Sequence, residues 1–221
     1  MKLLLKTLVA FLCGLLITGT MLFVPAGTLV YRRAWLFMAL LFIPIFIMGV
    51  VLLIMNPELL RKRLEMKERE KEQKGVVALS GFLLVASFIV AGLDYRFEWS
   101  YVSNTIVIIA SVVLLMGYAL YGEVLRENVY LSRVVEVQEG QHVIDTGLYG
   151  IVRHPMYFAV TLLYLAIPLV LGSWWALLVM SPCILLLVAR IRNEEQVLHQ
   201  RLSGYTDYMN RVRYRMIPWV W

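Results

Sequence analysis

Polar side chains in the C-terminal half of this chain stand beside long apolar stretches, and several have types and spacings that could do chemistry. Arg190 and Glu194 are spaced i, i+4, so on a helix they share one face. They fall where an apolar run ends, and ionisable groups there are costly unless paired or used. The plainer reading is a snorkelling pair that marks the helix end. Arg192 and Glu195 point elsewhere on the same helix, and for them the plainer reading weighs more. His154 precedes Pro155, which biases its backbone to extended geometry and lets the proline open a helix. A helix start carries free N–H groups and a positive dipole end, where an anion such as a carboxylate could sit. A capping or interface histidine is the alternative. Arg153 reads most simply as a headgroup contact. Gly147 and Gly150 flank Tyr149 and suggest a tight turn or a close backbone approach to a ligand. His142 and His199 read as surface histidines. Cys13 and Cys183 both lie in apolar runs, with neither disulfide-framework nor metal spacing.

These groups need a scaffold, and composition says where it belongs. Of 221 residues 61% are hydrophobic, and mean hydropathy is +0.75. Soluble chains carry about 45–50% apolar residues and about 25% charged ones, and here the charged share is only 16%. A soluble globular domain cannot hide that much apolar surface, and a disordered chain would not carry it. Lipid can, since ~20 apolar residues span its hydrocarbon layer. The net charge of +6 suits cytoplasmic loops and anionic headgroups. Nucleic acid is not the expected partner, because the basic residues form no single soluble module.

Apolar runs cover residues 3–25, 34–55, 76–93, 102–121 and 158–189. The N-terminus, Lys2 and Lys6 and then apolar residues 7–24, has the look of a signal peptide, but the length of the run and the runs that follow make it the first membrane helix. Asn56-Pro57 ends the second run, and Glu58 to Lys74 follows as a charged block in which acid and base alternate, the pattern of a solvated surface helix. Asp94 to Trp99 reads as an interfacial turn. The last run is too long for one span. Gly172-Ser173 divides it, with Pro168 and Pro182 interrupting each half, so it reads as a hairpin of two short or tilted helices. The expected fold is all-α, a polytopic membrane bundle of about five to six transmembrane segments including this C-terminal hairpin. Residues 1–121 make four helices with the charged link 57–75, and 122–221 a distinct polar-and-hairpin region. The basic bias puts 57–75, 122–157 and the tail with Arg190, Arg192, Arg201, Arg211, Arg213 and Arg215 on the cytoplasmic side. Arg32, Arg33 and Arg96 remain opposite. Because 122–157 and 190–195 bracket the hairpin, they meet at one boundary and enclose a pocket half in lipid and half in water.

Gly147-Leu148-Tyr149-Gly150-Ile151-Val152-Arg153-His154-Pro155-Met156-Tyr157, the apolar hairpin, Arg190-x-x-x-Glu194-Glu195-x-x-Leu198 and Gly204-Tyr205-x-x-Tyr208, in that order, resemble the integral-membrane isoprenylcysteine carboxyl methyltransferase family, whose wider relatives are phospholipid methyltransferases. The resemblance covers roughly residues 120–218; the N-terminal helices match only in being hydrophobic. It implies methyl transfer from S-adenosylmethionine at the cytosolic face of a membrane, the cell's inner (plasma) membrane. It divides 122–221 into a cofactor loop, 130–157, the hairpin, 158–189, and a C-terminal helix and tail, 190–221. Carried over residue by residue, it assigns the cofactor to Gln138, Gln141, His142, Val143, Ile144, Tyr149, His154, Pro155, Met156, Tyr157 and Glu194, and the substrate to Arg190. No metal is implied.

The chemistry suits that carry-over. Glu194 can offset a sulfonium charge in a low-dielectric pocket, and Tyr149 and Tyr157 offer aromatic faces for the adenine or the cation. A lipophilic or prenylated acceptor would enter sideways from the bilayer. A carboxylate acceptor is already a nucleophile, held by Arg190 through charge-assisted hydrogen bonds. An amine acceptor, as in a phospholipid, must lose a proton to Glu194 or His154. The rival from another class is a small transporter or scaffold without catalysis. Against a transporter, no apolar run carries an ionisable residue at mid-depth, and no repeated halves are visible.

Overall fold

A computed structural model of the chain describes residues 2–55, 57, 58, 60, 61, 71–131 and 137–221. These residues form helices and turns, with no strand among them. The long helices are α1 (Lys2–Ala26), α2 (Arg32–Met55), α3 (Lys71–Phe97) and α4 (Asn104–Glu127). A 3-10 turn, Gly147–Gly150, precedes α5 (Pro155–Leu171). Then come α6 (Trp174–Met180), α7 (Pro182–Arg201) and α8 (Tyr205–Arg211). Of the charged block Glu58–Lys74, residues 59 and 62–70 lie outside the described residues, and so does the test of a surface helix there.

Five segments are long and apolar enough to cross a membrane: Leu3–Ala26, Arg32–Met55, Gly75–Phe97, Asn104–Glu127 and Trp174–Arg201. Only 11% to 28% of the most apolar stretch of each is buried inside the protein. The outward faces carry Leu16, Ile54, Phe82 and Leu185, all more than 60% exposed, so lipid rather than protein must cover them. Helices suit that setting because each satisfies its backbone polar groups within itself. The chain is an integral membrane protein of helices.

Packing builds one core where α1 lies along α3, α4 along α5, and α6 against α3. Leu22, Tyr31, Phe37, Leu114, Val170 and Leu171 are buried together there. The hairpin breaks where the sequence expects. Gly172 ends α5 at φ 83°, in the left-handed region, and a side chain there would collide with Arg33. Ser173 caps α6, its Oγ accepting from the Ala176 N–H at 3.0 Å. Pro155 and Pro182 occupy first-turn positions, where no N–H is required. Pro168 does not interrupt its half: α5 runs through it to Leu171, because a proline this near the end removes little of the helical bonding. With 17 residues, α5 is about 26 Å long against a hydrocarbon layer of about 30 Å.

Asp94 also departs from the expected interfacial turn. α3 continues through it to Phe97, and Asp94 is buried, accepting from the Ser100 N–H (2.8 Å), the Ser100 hydroxyl (2.6 Å) and the Ser173 hydroxyl. The chain turns instead at Glu98, whose φ is 52°.

Candidate active site

The geometry of the hairpin decides what meets at its open end. His154 lies 18 residues before Gly172 and Glu194 lies 22 after it. At ~1.5 Å per residue both sit about 27–33 Å from the turn, so they come level. His154 Nδ1 lies 4.0 Å from Glu194 Oε1. Tyr157, one turn into α5, joins the two arms: its hydroxyl donates to Glu194 Oε2 at 2.5 Å and accepts from Arg190 Nε at 2.9 Å. The i, i+4 pair on α7 is therefore bridged by a hydroxyl of the opposing helix. Tyr157 contributes its oxygen to this contact, beyond the aromatic face expected of it.

A second network lies beneath, and the plainer sequence readings of Arg153 and Glu195 do not hold, while His154 does stand at the N-cap of α5. Glu195 is buried and accepts from Arg153 Nε (2.7 Å) and Arg215 Nε (2.7 Å), with His154 Nε2 at 3.3 Å. Arg153 touches no headgroup. Its side chain is 5% exposed and donates also to the carbonyls of Val212 (2.7 Å) and Arg213 (2.9 Å). The backbone N–H groups of Arg153 and His154 donate to Tyr214 and Arg215 carbonyls at 2.9 and 2.7 Å. The segment after α8 thus runs back across the start of α5, and its burial of Arg153 and Glu195 is what the local sequence does not show. Arg192 and His199 are exposed, as expected.

The remaining wall comes from the loop before α5. Gly147 takes φ 51°, and a side chain there would run into the Glu127 carboxylate. That carboxylate accepts from the Leu148 N–H at 3.0 Å and ties the 3-10 turn to the end of α4. Tyr149 is thereby buried, its hydroxyl accepting from Asn128 Nδ2 at 3.0 Å and its carbonyl from the Tyr208 hydroxyl at 2.8 Å. Gln138 folds the loop: its N–H donates to Gln141 Oε1 and its Nε2 to the Tyr130 carbonyl, both at 2.8 Å. The Tyr130 hydroxyl is 3.0 Å from His142 Nδ1.

These parts enclose a cleft. Gln141, His142, Val143 and Ile144 line one side, Tyr149, His154, Met156 and Tyr157 a second, and Arg190 and Glu194 a third. Of the residues assigned from sequence, Gln138 and Pro155 do not reach it: the first shapes the loop and the second opens α5. Asn128, Tyr130, Leu131, Arg153, Leu198, Leu202, Tyr205 and Tyr208 line it without having been assigned. Tyr205, Tyr208 and Leu198 stood in the quoted motifs, so a signal existed for them. The cleft has a cavity volume of about 90 Å3, and about 820 Å3 of empty space lies between its walls when the side open to solvent is included. Burial pushes the Tyr149, Tyr205 and Tyr208 hydroxyls above the usual tyrosine range, and the Glu194 charge adds to this at Tyr149 and Tyr205. All three stay protonated at neutral pH. No group of His, Cys, Asp and Glu that could hold a metal occurs among the described residues.

A second cavity, about 510 Å3 and almost wholly apolar, lies among α1, α2 and α4. Phe11, Gly14, Phe46, Gly49 and Tyr121 are on its wall. Tyr121 is also close enough to Tyr149 to act electrostatically on its hydroxyl, so the two cavities are neighbours along α4.

Residues 105–203 match the phospholipid methyltransferase family model. The match starts at the beginning of α4 and ends just past α7, so it takes in the hairpin and most of the cleft. It indicates a methyltransferase of the membrane. No curated protein matches the chain.

Proposed function

We propose that the cleft binds S-adenosylmethionine and that the chain transfers its methyl group to a lipophilic acceptor, the carboxylate of an isoprenylcysteine-like molecule. The observation that carries this reading is the meeting of His154 and Tyr157 from one arm of the hairpin with Arg190 and Glu194 from the other, in one cleft at the edge of the apolar bundle.

The residues present fit the cofactor. Glu194 supplies a carboxylate beside a low-dielectric wall, Tyr149 supplies an aromatic surface, and a buried hydroxyl in the cleft, that of Tyr205, has no partner among the described residues. When bound, the cofactor supplies an electrophilic methyl on a positively charged sulfur. Everything else falls to the chain. Glu194 balances positive charge, and Tyr157 holds Glu194 and Arg190 in fixed relation. Arg190 directs its guanidinium charge toward the acceptor's carboxylate. With the cofactor bound, the chemistry it would supply is transfer of that methyl from sulfur to the oxygen of the carboxylate that Arg190 orients, with the thioether as leaving group. The step joins opposite charges into neutral products, so a site that excludes water favours it. Positioning accounts for the rest.

The apolar cavity beside Tyr121 gives the acceptor's hydrocarbon tail a place near the cleft and supports entry from the bilayer. The family match favours a second reading, a phospholipid amine as acceptor. There a proton must leave, and Glu194 or His154 would take it. On either reading we take residues 122–221 as the catalytic region, and the basic residues near the cleft support a site on the cytoplasmic side of the inner (plasma) membrane.

The test begins with calorimetric titration of detergent-solubilised protein with S-adenosylhomocysteine. Saturable binding is expected; none at millimolar ligand removes the enzyme reading. Labelled methyl transfer to lipophilic carboxylates, thiols and amines, with lipid extracts included, then identifies the acceptor. Labelling confined to amines replaces the first reading by the second.

A further inference from the structure

Tyr205 and Tyr208 sit one turn apart on α8 and both line the cleft, yet their hydroxyls are treated differently. The Tyr208 hydroxyl donates to the Tyr149 carbonyl at 2.8 Å. Tyr205 is 4% exposed, and its hydroxyl is the one buried side-chain polar atom without a hydrogen-bond partner among the described residues. A buried hydroxyl left unpaired is costly, and native chains keep few of them. The ring around it has ordinary support: it lies 5.7 Å from the Tyr208 ring and packs with Leu198, Leu202 and Val212. So the ring has a structural role, while the oxygen has no partner among the described residues.

The surroundings specify what would satisfy it. Leu198, Leu202, Tyr149 and Tyr208 make this corner of the cleft apolar and aromatic, suited to a flat ring. The acidic groups that act on Tyr205 are Glu195 and Glu194, and the basic one is Arg153. Glu195 is already engaged by Arg153 and Arg215, and Glu194 by Tyr157. We infer that the Tyr205 hydroxyl is a ligand-binding donor that completes its hydrogen bonding on the nitrogen heterocycle or ribose of a bound nucleoside, and that Leu198 and Leu202 form the floor under that ring. This rests on the reading of the cleft as a cofactor site and goes beyond it by assigning the nucleoside end to the α7–α8 corner. The sulfonium end then lies toward Glu194, where the acceptor must arrive.

Tyr205→Phe tests this, because it keeps the ring and removes only the oxygen. Calorimetry with S-adenosylhomocysteine should show affinity about five- to tenfold weaker than in the unaltered protein, the size of one lost neutral hydrogen bond. The same fold loss is expected with 5′-methylthioadenosine, which lacks the amino-acid end. The unliganded variant should melt at the same temperature or higher, since no partner within the chain is lost. Unchanged affinity for S-adenosylhomocysteine overturns the inference. A loss seen with S-adenosylhomocysteine but not with methylthioadenosine overturns the nucleoside assignment. A clearly lower melting temperature without ligand shows a structural role and also overturns it. If the unaltered protein binds neither compound, it is the function proposed above that fails.

Discussion

The hairpin of α5, α6 and α7 is held by buried polar side chains at both of its ends, and the two ends are built differently. At the Gly172 turn, Asp94 takes three donors from Ser100 and Ser173, the Tyr31 hydroxyl donates to the Leu171 carbonyl at 2.5 Å, and Arg33 donates to the Val102 carbonyl at 2.8 Å. Each of these groups is answered by the chain itself and none lines either cavity. At the other end Glu195 and Arg215 hold Arg153 from behind, but Arg153 itself reaches the cleft wall, His154, Tyr157, Arg190 and Glu194 stand with one side on the same cleft, and Tyr205 has a hydroxyl still to satisfy. Buried polarity alone therefore does not mark a site. Polarity that is fixed from behind and open in front does.

The comparison can be broken by removing one acid from each end. Glu195→Ala leaves the buried Arg153 and the half-buried Arg215 without their counter-charge, and breaking a buried pair such as Arg153–Glu195 costs about 3–5 kcal/mol. We expect the largest drop in thermal midpoint here, accompanied by lost cofactor binding, with Glu195→Gln recovering part of both. Asp94→Ala should lower the midpoint by less, corresponding to about 1–3 kcal/mol for donors left unpaired. The folded fraction of that variant should bind S-adenosylhomocysteine as before. If Asp94→Ala weakens binding as much as Glu195→Ala does, the two ends are not functionally distinct.

Within the open end, the roles of the bridged pair can be separated. Glu194→Ala should weaken cofactor binding by about ten- to a hundredfold, the range for a lost hydrogen bond or ion contact to a charged group. Arg190→Ala should leave cofactor affinity near its original value and lower turnover by at least about a hundredfold. Normal binding and turnover in both variants would show that the cleft is not the active site. The smallest effect is expected farthest from the chemistry. A Cβ added at Gly49 meets no atom within 4 Å, and Gly49 is on the wall of the apolar cavity, so Gly49→Leu should narrow that cavity. It should raise KM for a long-chain acceptor about fivefold, as a mildly overfilled pocket does, and leave cofactor affinity alone. Equal KM would detach that cavity from the acceptor.

Much of this architecture was legible because membrane helices announce themselves by length and apolarity, and a Gly-Ser pair in a 32-residue run leaves few options. From that hairpin alone, Arg190, Glu194 and His154 had to converge. What escaped depends on contacts distant in sequence. Arg153 looks like any cation at a membrane edge until residues 212–215 fold back over it, and nothing periodic in that tail foretells this. Glu195 faces the same segment and was hidden for the same reason. Asp94 resembles a helix-ending acid unless one knows that Ser173, 79 residues on, donates to it. Tyr205 was visible as part of a motif, but an unpaired hydroxyl is a property of the packed molecule, not of its sequence.

The brevity of α5 carries a consequence of its own. A rod some ångströms shorter than the oily layer around it cannot lift its starting residues clear of that layer, while the longer α6–α7 arm overshoots on the same side. Lipids must dimple inward to meet the shorter arm, or the arms must lean. Either adjustment varies with acyl-chain length, so the thickness of the host membrane bears on how the two arms that carry the cleft are seated.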